Sequence, residues 1–530
     1  MLKDAIRAIS LANLYLMPVW AWLIAGSLNP KSQYARYRLS GYVAAIINVL
    51  LVSAIFWIAI TLVRRSGSKK LMNVARWAFL VALIMPVHGI IQTQMSDYAI
   101  DSPSMLFGTV QKSIISIIVL VAAGLLMARF RDGAVKLFSF FLLIMFPFAL
   151  WTIGRSIYLM TQFDEKEPAP VIAVNDPPSP RIIWFIFDEM DQRLAFTERP
   201  EGLLLPELDR LRQQSLFATN ALPPAMLTLI SLPALITGNT LSSVRVVSPA
   251  KLLVSFSDSS GEVDWGDHPN LFSEARKLGR NTALVGWYHP YPRMIGDSLT
   301  RCVYEDVKDP SISTVMLGQL RNVALTAPMI ANTFQPKGGM LARALPVQPE
   351  GQKGRRDMYL RTFEEAKKIV ADKTFGMSLI HWSIPHDPAI YNRKTENFNT
   401  TQGASYIDNL ALVDRTMGEL RREMEAAGVW DNSVILVTSD HPLRKATSKR
   451  LLRRLKKTDE SLKIKLDTRI PFVLKLAGQK EGVVYDGRFN TVLTRDLFLA
   501  LMRGEISTPE SVLRWLDQNR ANTGSIIGED

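Results

Sequence analysis

Long uncharged apolar runs dominate the first 162 residues of this 530-residue chain. Five such runs follow one another, separated by short segments that are mostly basic: residues 8–30, 39–63, 77–96, 113–128 and 137–154. A helix needs about 20 apolar residues to cross the hydrocarbon core of a bilayer, and the shorter runs can extend into their flanking residues. Buried helices of a soluble protein would not repeat this pattern five times in succession. We therefore predict five membrane-spanning helices within residues 1–162.

Beyond residue 180 the pattern changes to short buried strands that alternate with amphipathic helices. The predicted strands are 182–187, 282–287, 375–381, 433–439 and 469–476, and the predicted helices are 206–215, 270–278, 406–427 and 508–519. This alternation favours an α/β domain whose helices flank a mostly parallel sheet. Residues 163–180, rich in proline and charge, predict an extended linker. The chain thus divides into a multi-span transmembrane region (1–162), a linker (163–180) and a large α/β domain (181–530).

The net charge of +13 lies mostly in the transmembrane region. Residues 1–162 hold 15 Lys and Arg against four Asp, whereas the rest of the chain holds 47 basic against 45 acidic residues. With the N-terminus inside, the inner segments carry ten cations and the outer segments five, which the positive-inside rule favours. An odd number of spans then places the C-terminal domain on the outer or periplasmic face of a cytoplasmic (inner) membrane. We expect the first helix to stay as an anchor, with cleavage as a signal peptide as the alternative.

The distribution of charge and cysteine excludes several classes of protein. One cysteine, Cys302, allows neither an internal disulfide nor a cysteine-based zinc cluster. Nucleic-acid binding is not expected, because the surplus cations lie in membrane loops. The exported domain has one strongly basic run, residues 444–465, with ten Lys and Arg against two acids. This run is either a solvated helix face or a surface, beginning at Arg444 and Lys445, that attracts an anionic substrate.

Residues that suit a divalent metal end two of the predicted strands. Asp188-Glu189 follows strand 182–187, and Asp440-His441 follows strand 433–439. The carboxyl ends of parallel strands meet at one edge of a sheet, where sites form. Carboxylates and a neutral imidazole are typical ligands of divalent cations. Either pair alone could be a helix cap, but two pairs on one sheet favour a metal site.

A hydroxyl and three histidines supply further candidates. Thr228 precedes an apolar segment that ends at Thr237-Gly238, and a hydroxyl at a helix start lies beside backbone amides that favour a phosphoryl group. The alternative is that Thr228 only caps the helix. His289, His381 and His386 end or follow predicted strands, so we expect them near the same edge of the sheet.

The order of these motifs resembles the sulfatase and alkaline phosphatase superfamily over roughly residues 181–480. Together with the five-span anchor it is similar to a membrane-anchored branch that includes phosphoethanolamine transferases and lipoteichoic acid synthases. The sulfatase signature is Cys or Ser, then x-Pro-x-Arg, four residues and Thr-Gly. Aligning its end with Thr237-Gly238 places Thr228 on the nucleophile. The segment 278–289 is similar to a family segment ending Gly-Lys-Trp-His, and 430–441 to the family's Asp-His strand.

The departures from this signature narrow the chemistry. Thr228 replaces Cys or Ser, so the formylglycine of sulfatases cannot form, while a threonine nucleophile matches the phospho-transferring branch. Leu232 replaces the signature arginine, and Trp287 replaces a lysine. The loss of these two cations keeps a catalytically degenerate binding or assembly protein open as an alternative. A hydrolase of an exported ester is another.

The resemblance implies an alkaline-phosphatase-like α/β/α fold and one divalent ion, which could be Mn, Zn, Ca or Mg. The implied metal ligands are Asp188, Asp440, His441 and Thr228, with Glu189 as a further ligand. The implied reaction moves a phosphoethanolamine or phosphoglycerol head group from a membrane phospholipid, through Thr228, to an envelope glycan or lipid. His289 and His386 would bind phosphate oxygens or protonate the leaving group, and His381, Arg444 and Lys445 would bind substrate. The oligomeric state stays open.

Overall fold

The computed structural model describes residues 1–24, 38–80, 129–173, 180–306, 311–326, 350–398, 404–444 and 467–520. They belong to two compact units. The first comprises Met1–Phe163 with Asp309–Gln348, and the second comprises Asp164–Lys308 with Pro349–Asp530. The membrane region predicted from sequence is therefore one unit, but it also includes an insertion from the second half of the chain. No hydrophobic run used to delimit the membrane region indicated that insertion.

The described residues of the first unit are mostly helical and contain no strand. Its helices are α1 (Leu2–Tyr15), α2 (Met17–Ile24), α3 (Leu39–Arg65), α4 (Arg131–Ile144) and α5 (Phe146–Met160), together with α10 (Ile312–Thr326) from the insertion. Residues 69–80 are also helical. Among the described residues, two stretches are long and apolar enough to cross a membrane, Leu39–Arg65 and Arg131–Phe163. They coincide with the second and fifth predicted spans. The first run is divided between the shorter α1 and α2, and most of the third run and all of the fourth lie outside the described residues.

The two ends of the first unit carry different contacts. At one end Asp4, near the N-terminus, forms ion pairs with Arg7 at 3.3 Å and with Arg64 at the end of α3. At the other end the ring of Tyr42, near the start of α3, lies 6.3 Å from the ring of Phe163. Phe163 is the last residue before the chain enters the second unit. The start of α3 and the exit of the chain therefore share one end of this unit.

The second unit is built on an eight-stranded sheet in the order β14-β2-β13-β12-β1-β9-β7-β8. Its strands are β1 (Arg181–Asp188), β2 (Leu216–Ala218), β7 (Asn281–Gly286), β8 (Arg301–Tyr304), β9 (Phe375–Pro385), β12 (Ser433–Thr438), β13 (Phe472–Lys475) and β14 (Val483–Tyr485). From β12 to β8 all neighbours are parallel, while β13 runs antiparallel to both β12 and β2. The predicted mostly parallel α/β sheet is confirmed.

Smaller strands and the helices complete this unit. Three small sheets are formed by β3 (Ala221–Leu222), β4 (Leu241–Ser248), β5 (Lys251–Phe256), β6 (Val263–Asp264), β10 (Tyr391–Asn392), β11 (Asn397–Phe398) and β15 (Phe489–Asn490). The helices are α6 (Pro206–Arg212), α7 (Thr228–Thr237), α8 (Leu271–Lys277), α9 (Tyr291–Ile295), α11 (Glu350–Ala371), α12 (Tyr406–Ala426), α13 (Thr494–Met502) and α14 (Pro509–Asn519).

Helices cover both faces of the central strand. In β1, alternate residues point to opposite faces: Phe185 joins a core cluster that includes residues of α11 and α12, whereas the Trp184 ring meets Phe498 of α13 edge-on at 5.4 Å. All eight residues of β1 are buried, as expected for a parallel strand between two helical layers. This arrangement makes the end of β1 a protected position for polar side chains.

A buried arginine fixes α11 to the start of β1. The guanidinium of Arg181 donates to the carbonyl oxygens of Val370 at 3.0 Å and Asp372 at 2.8 Å. These carbonyls belong to the last turn and the end of α11, where helical carbonyls have no partner within the helix and a cation is favoured. Burial lowers the pKa of Arg181 to about 10, which leaves it charged at neutral pH. The contact therefore holds α11 in register with the sheet.

The described part of the linker lies along the second unit. Residues 164–173 contain neither helix nor strand, in agreement with an extended segment. The backbone N–H groups of Lys166 and Ala169 donate to the carbonyls of Pro292 at 3.0 Å and Leu299 at 2.9 Å. Because its backbone is paired in this way, this segment is bound to the domain that follows it rather than held apart from it.

Candidate functional site

The parallel register brings the predicted motifs to one edge of the sheet. Ile186 of β1 pairs with Thr438 of β12 on one side and with His381 of β9 on the other. His381 in turn pairs with Gly286 of β7. The residues that follow these strands therefore emerge at the same edge, at the carboxyl ends where sites of α/β domains form.

Two carboxylates and one imidazole meet at this edge. Asp188, Asp440 and His441 are buried, and one ligand atom from each lies within 4.8 Å of the others. His441 Nε2 is 3.4 Å from Asp188 Oδ1 and 3.7 Å from Asp440 Oδ2. Burial, together with the charges of Asp440 and Glu189, raises the pKa of Asp188 well above its ordinary value. Without a cation beside them, the negatively charged carboxylates of Asp188 and Asp440 repel each other in a buried environment.

The unsatisfied atoms of this group fit a divalent cation. Among the described residues, neither oxygen of Asp188 nor Oδ2 of Asp440 has a hydrogen-bond partner. Buried polar atoms are nearly always paired, so orphaned carboxylate oxygens indicate a missing ligand. His441 Nδ1 lies 2.9 Å from the Pro442 carbonyl, so Nδ1 carries the proton and Nε2 presents its lone pair. Carboxylate oxygens and an imidazole nitrogen are a suitable donor set.

Two residues at the site adopt left-handed backbone conformations. Glu189, directly after β1, has φ of 65°, and Tyr288, two residues after β7, has φ of 74°. Such conformations cost a non-glycine residue roughly 1–3 kcal/mol and persist where the surroundings impose them. The backbone N–H of Glu189 donates to Asp440 Oδ1 at 3.2 Å, which ties the turn after β1 to the end of β12.

The side chain of Glu189 turns away from the three ligand atoms toward Arg444. Its Oε1 accepts from the Arg444 backbone N–H at 2.8 Å and from Arg444 Nε at 3.0 Å. Its Oε2 is 3.9 Å from His386 Nε2. Glu189 is thus not among the three residues that cluster as metal ligands, although its charge acts on Asp188. The structure gives it a partner of opposite charge instead.

His386 and Arg444 contact each other at the rim of the site. Arg444 Nη2 contacts His386 Nε2, while His386 Nδ1 is 2.5 Å from the Asp387 carbonyl. Burial and the charges of Arg355 and Arg444 lower the pKa of His386 well below its ordinary value, so the ring is neutral and accepts from Arg444. With both ring nitrogens engaged, His386 orients Arg444. Lys445, the neighbouring substrate-binding candidate, lies outside the described residues.

Thr228 is the first residue of α7, and His289 lies against it. The Thr228 side chain is buried, and the residue before it, Leu227, provides no side-chain cap. His289 Nε2 is 3.3 Å from the Thr228 carbonyl oxygen. Burial lowers the pKa of His289 to about 3, although the hydrogen bond to Thr228 opposes the shift. His289 is therefore a neutral hydrogen-bond donor at neutral pH.

His381 is buried within β9. Its Nδ1 lies 2.9 Å from the Tyr291 hydroxyl and 3.2 Å from the Trp287 carbonyl. Burial lowers its pKa to about 4, with the charge of Asp440 acting in the opposite direction. Gly286 permits this packing, because a Cβ there would lie 2.7 Å from the Tyr291 ring and 3.1 Å from His381 Cβ. The structure thus buries His381 against Tyr291 and Trp287, and its part in substrate binding stays a prediction.

Arg355 of α11 is a site residue that the sequence did not reveal. Its guanidinium carbon lies 4.0 Å from the centre of the Trp287 ring, and its Nη2 is 3.5 Å from the Asp387 carbonyl. Its Nη1 is buried and has no hydrogen-bond partner among the described residues. The positive charge of Arg355 acts on Asp188. In the sequence Arg355 has two basic residues nearby, Lys353 and Arg356, and so resembles a solvated helix face.

The comparison with protein families identifies this architecture. The family model described as Sulfatase matches residues 180–492. The chain belongs to the sulfatase family. Members of this family are typically enzymes and commonly bind a divalent metal, and the buried group of Asp188, Asp440 and His441 fits that property. None of the curated proteins matches the chain.

Solved structures similar to this sulfatase-family chain belong to the alkaline phosphatase superfamily. A superfamily member from Vibrio parahaemolyticus is 16% identical over 63% of this chain and 68% of that one, with a TM-score of 0.37. The lipoteichoic acid synthase LtaP from Listeria monocytogenes is 15% identical over 62% and 72%, with a TM-score of 0.40. Phosphonate monoester hydrolase of Agrobacterium radiobacter is 12% identical over 62% and 78%, with a TM-score of 0.36.

Proposed function

We propose that this chain is a membrane-bound, metal-dependent phosphotransferase with Thr228 as its nucleophile. The observation that carries the proposal is the group of orphaned oxygens on Asp188 and Asp440 beside His441, at the sheet edge where His289 lies 3.3 Å from the Thr228 carbonyl. A degenerate domain would have no reason to keep buried carboxylates unpaired, because each unpaired buried charge destabilises the fold. Binding of a cation at this group would remove that cost.

The membrane location is supported by the ends of the helical unit. Asp4, Arg7 and Arg64 lie together at one end, with the basic residues that the positive-inside rule assigns to the cytoplasm. Phe163, from which the chain continues into the sulfatase domain, contacts Tyr42 at the other end. An inner membrane protein with its N-terminus inside and its catalytic domain on the outer or periplasmic face accounts for both. Membrane phospholipids are then available as donors.

Asp188, Asp440 and His441 would hold the divalent ion, with the hydroxyl of Thr228 as the fourth ligand. When bound, the ion would lower the pKa of that hydroxyl and stabilise negative charge on the phosphoryl oxygens. Glu189, which the resemblance implies as a further ligand, would instead hold Arg444 in place through its Oε1.

Transfer would occur in two balanced steps. In the first, Thr228 Oγ forms a bond to the phosphorus of a phospholipid head group while the bond to the diacylglycerol oxygen breaks. The proton lost by Thr228 balances the proton gained by diacylglycerol, which leaves as an alcohol. In the second, the hydroxyl oxygen of an envelope glycan or lipid forms a bond to the phosphorus while the bond from phosphorus to Thr228 Oγ breaks. The proton lost by the acceptor balances the proton that restores the Thr228 hydroxyl. With water as the acceptor, the same steps would make the enzyme a hydrolase.

Arg355 and Arg444 would bind the phosphoryl oxygens. The signature arginine and lysine of sulfatases are replaced by Leu232 and Trp287. Arg355 reaches the face of Trp287 from another helix and so returns a cation to the region where one is missing. This observation favours a catalytic domain over a degenerate one. His289, neutral because its pKa is about 3, donates its one N–H from Nε2 to the Thr228 carbonyl and would position Thr228 for attack.

The proposal is tested by a search for phosphate on Thr228. Purified full-length protein is incubated with phospholipid vesicles and a divalent metal, quenched in acid and digested for mass spectrometry. We expect a peptide carrying phosphoethanolamine or phosphoglycerol on Thr228, and we expect the adduct to decrease when an acceptor is added. The Thr228→Ala protein is the blank. Turnover of lipid with neither an adduct nor a loss of activity in that variant would contradict the proposal.

Replacing Arg355 should weaken binding of the phosphoryl group. A hydrogen bond to a charged group contributes about 1.5–3 kcal/mol, so Arg355→Gln should raise the KM for phospholipid and the inhibition constant of inorganic phosphate roughly 10-fold to 100-fold. Arg356→Gln is the matched control, because Arg356 pairs with Asp357 at 2.7 Å. Phosphate inhibition that is unchanged in Arg355→Gln, or that changes equally in both variants, would show that Arg355 does not bind the phosphoryl group.

A further inference from the structure

The insertion in the sulfatase domain contributes a helix to the membrane unit. In the sequence, helix α10 lies between β8 and α11, which are both elements of the second unit. In the structure, it packs against α3 and α2 of the first unit. Its 15 residues contain one charged side chain, Arg321. The contacts of α10 with the helices of the first unit show what holds it there.

Buried side-chain amides attach α10 to α3. Asn48 Nδ2 donates to the Met316 carbonyl at 3.1 Å and to Gln319 Oε1 at 3.0 Å, and Gln319 Nε2 donates to the Gly41 carbonyl at 2.9 Å. Asn48 is fully buried and Gln319 is 9% exposed. Polar side chains between apolar helices fix which faces meet, because each amide loses its partner if the helices slide or separate.

These contacts lie at one end of α3. Gly41 is the third residue and Asn48 the tenth of a 27-residue helix. At a rise of 1.5 Å per residue, Asn48 lies roughly 14 Å from the start of α3, within its first half. The same end holds Tyr42 and Phe163, where the chain passes to the sulfatase domain. Helix α10 therefore contacts the end of the membrane unit that the proposed topology assigns to the outer leaflet.

The path of the chain requires the insertion that contains α10 to begin and end on one side of the membrane. Residues before it, through β8, and residues after it, from α11, belong to the same domain. A domain on one face of a membrane cannot have its two connections to an inserted segment on opposite faces. The insertion therefore starts from the outer face and returns to it.

The outer surface of α10 is apolar. Leu317 is two positions from Gln319, which places the two side chains on nearly opposite faces of the helix. Leu317 is 47% exposed within the structure, and Leu50 and Leu51 of α3 are 55% and 46% exposed. Exposing such an apolar surface to water is unfavourable, whereas contact with acyl chains is favourable.

We propose that α10 is a second membrane anchor of the catalytic domain, a helix inserted from the outer face into the outer leaflet, where acyl chains cover Leu317. The proposal rests on the membrane location under the proposed function and goes beyond it, because the domain is then held to the bilayer by its own insertion as well as by the helix that precedes it. The bilayer is chosen over a protein partner because α10 is already docked on the candidate span α3 at its outer end.

The test measures the depth of α10 in a bilayer. Cys302→Ala full-length protein receives a single cysteine at Leu317, at Leu51 in α3 or at Ser260 in an exposed turn of the catalytic domain. Each is spin-labelled and reconstituted into phosphatidylethanolamine–phosphatidylglycerol nanodiscs. Collision with oxygen and with a water-soluble nickel complex is then compared. We expect the label at 317 to behave like the label at 51, accessible to oxygen and shielded from nickel, and unlike the label at 260.

The outcomes separate this inference from the proposed membrane location. If the label at 317 matches the one at 260 while the label at 51 remains in lipid, α10 lies in water and the inference fails. If the label at 51 is also accessible to nickel, the membrane location itself fails. A label at 317 shielded from both reagents would mean that protein covers the helix, which also overturns the inference.

Discussion

Thr228→Ala should abolish phosphoryl transfer. The substitution removes the only atom that can form the phosphothreonine, and losing a nucleophile lowers turnover by roughly 10³-fold or more even when binding and electrostatic stabilisation persist. The helix itself should tolerate the change, because alanine has a higher helix propensity than threonine and Leu227, not Thr228, precedes the helix. The measurement is initial turnover of a labelled phospholipid by full-length protein in vesicles.

Two control variants test whether the loss of transfer is due to the missing Thr228 hydroxyl. Thr228→Ser keeps the hydroxyl and should retain measurable transfer, whereas Thr395→Ala removes the same atoms from an exposed turn and should have no effect. Circular dichroism and the thermal midpoint of each protein establish that the fold is intact. Transfer by Thr228→Ala at the rate of the unaltered protein would disprove the assignment of the nucleophile.

Asp188→Asn should affect stability in opposite directions with and without metal. In metal-free protein the raised pKa of Asp188 means that burial and the nearby Asp440 charge disfavour the carboxylate, so a neutral amide should leave the free energy of unfolding equal or higher. With metal present, the lost ligand should weaken binding about 100-fold or more and remove activity, since even the residues that support ligands contribute 10-fold to 100-fold. A substitution that acted only on packing would change the stability in the same direction with and without metal.

The measurement is the thermal midpoint of full-length protein with a chelator and with each of Mn²⁺, Zn²⁺, Ca²⁺ and Mg²⁺. An ion at 100 times its Kd stabilises a protein by about 2.7 kcal/mol, and a 100-fold weaker Kd reduces this to about 0.4 kcal/mol. Asp258→Asn, in an exposed turn, should keep the full gain and serves as the control. The ion that gives the largest gain identifies the cofactor. An equal gain in Asp188→Asn would exclude Asp188 as a ligand.

Part of the candidate site could be predicted because it depends on local patterns and one rule of topology. Asp188 and Asp440-His441 each follow a buried apolar strand, and parallel strands end at the same edge of a sheet. That rule correctly predicted that residues about 250 positions apart lie close together, because His441 Nε2 is 3.4 Å from Asp188 Oδ1. Thr228 was located by its spacing from Thr237-Gly238, which in the structure is the end of α7 with Gly238 in the left-handed conformation at φ of 71°.

The partners of the polar residues could not be predicted in this way. Arg355 belongs to a helix whose position depends on the Arg181 contact at its other end, so no periodicity shows that its guanidinium reaches Trp287. Glu189 directly follows a metal-ligand candidate in sequence, but its left-handed φ turns the side chain toward Arg444. Hydrophobic patterns report which face of an element is buried, and they carry no information on which charges meet across elements.

By itself the sequence determined the class of this protein: apolar helices at the start of the chain, then an α/β domain of the sulfatase family with carboxylates at two strand ends. These properties follow from residue periodicity, length and spacing, which act locally. The tertiary structure alone decided that orphaned oxygens of Asp188 and Asp440 lie beside His441, that Arg355 reaches the face of Trp287, and that α10 packs with the helices of the first unit. Each of these depends on contacts between residues far apart in the chain, and such contacts are set by the packing of the whole fold rather than by any local pattern.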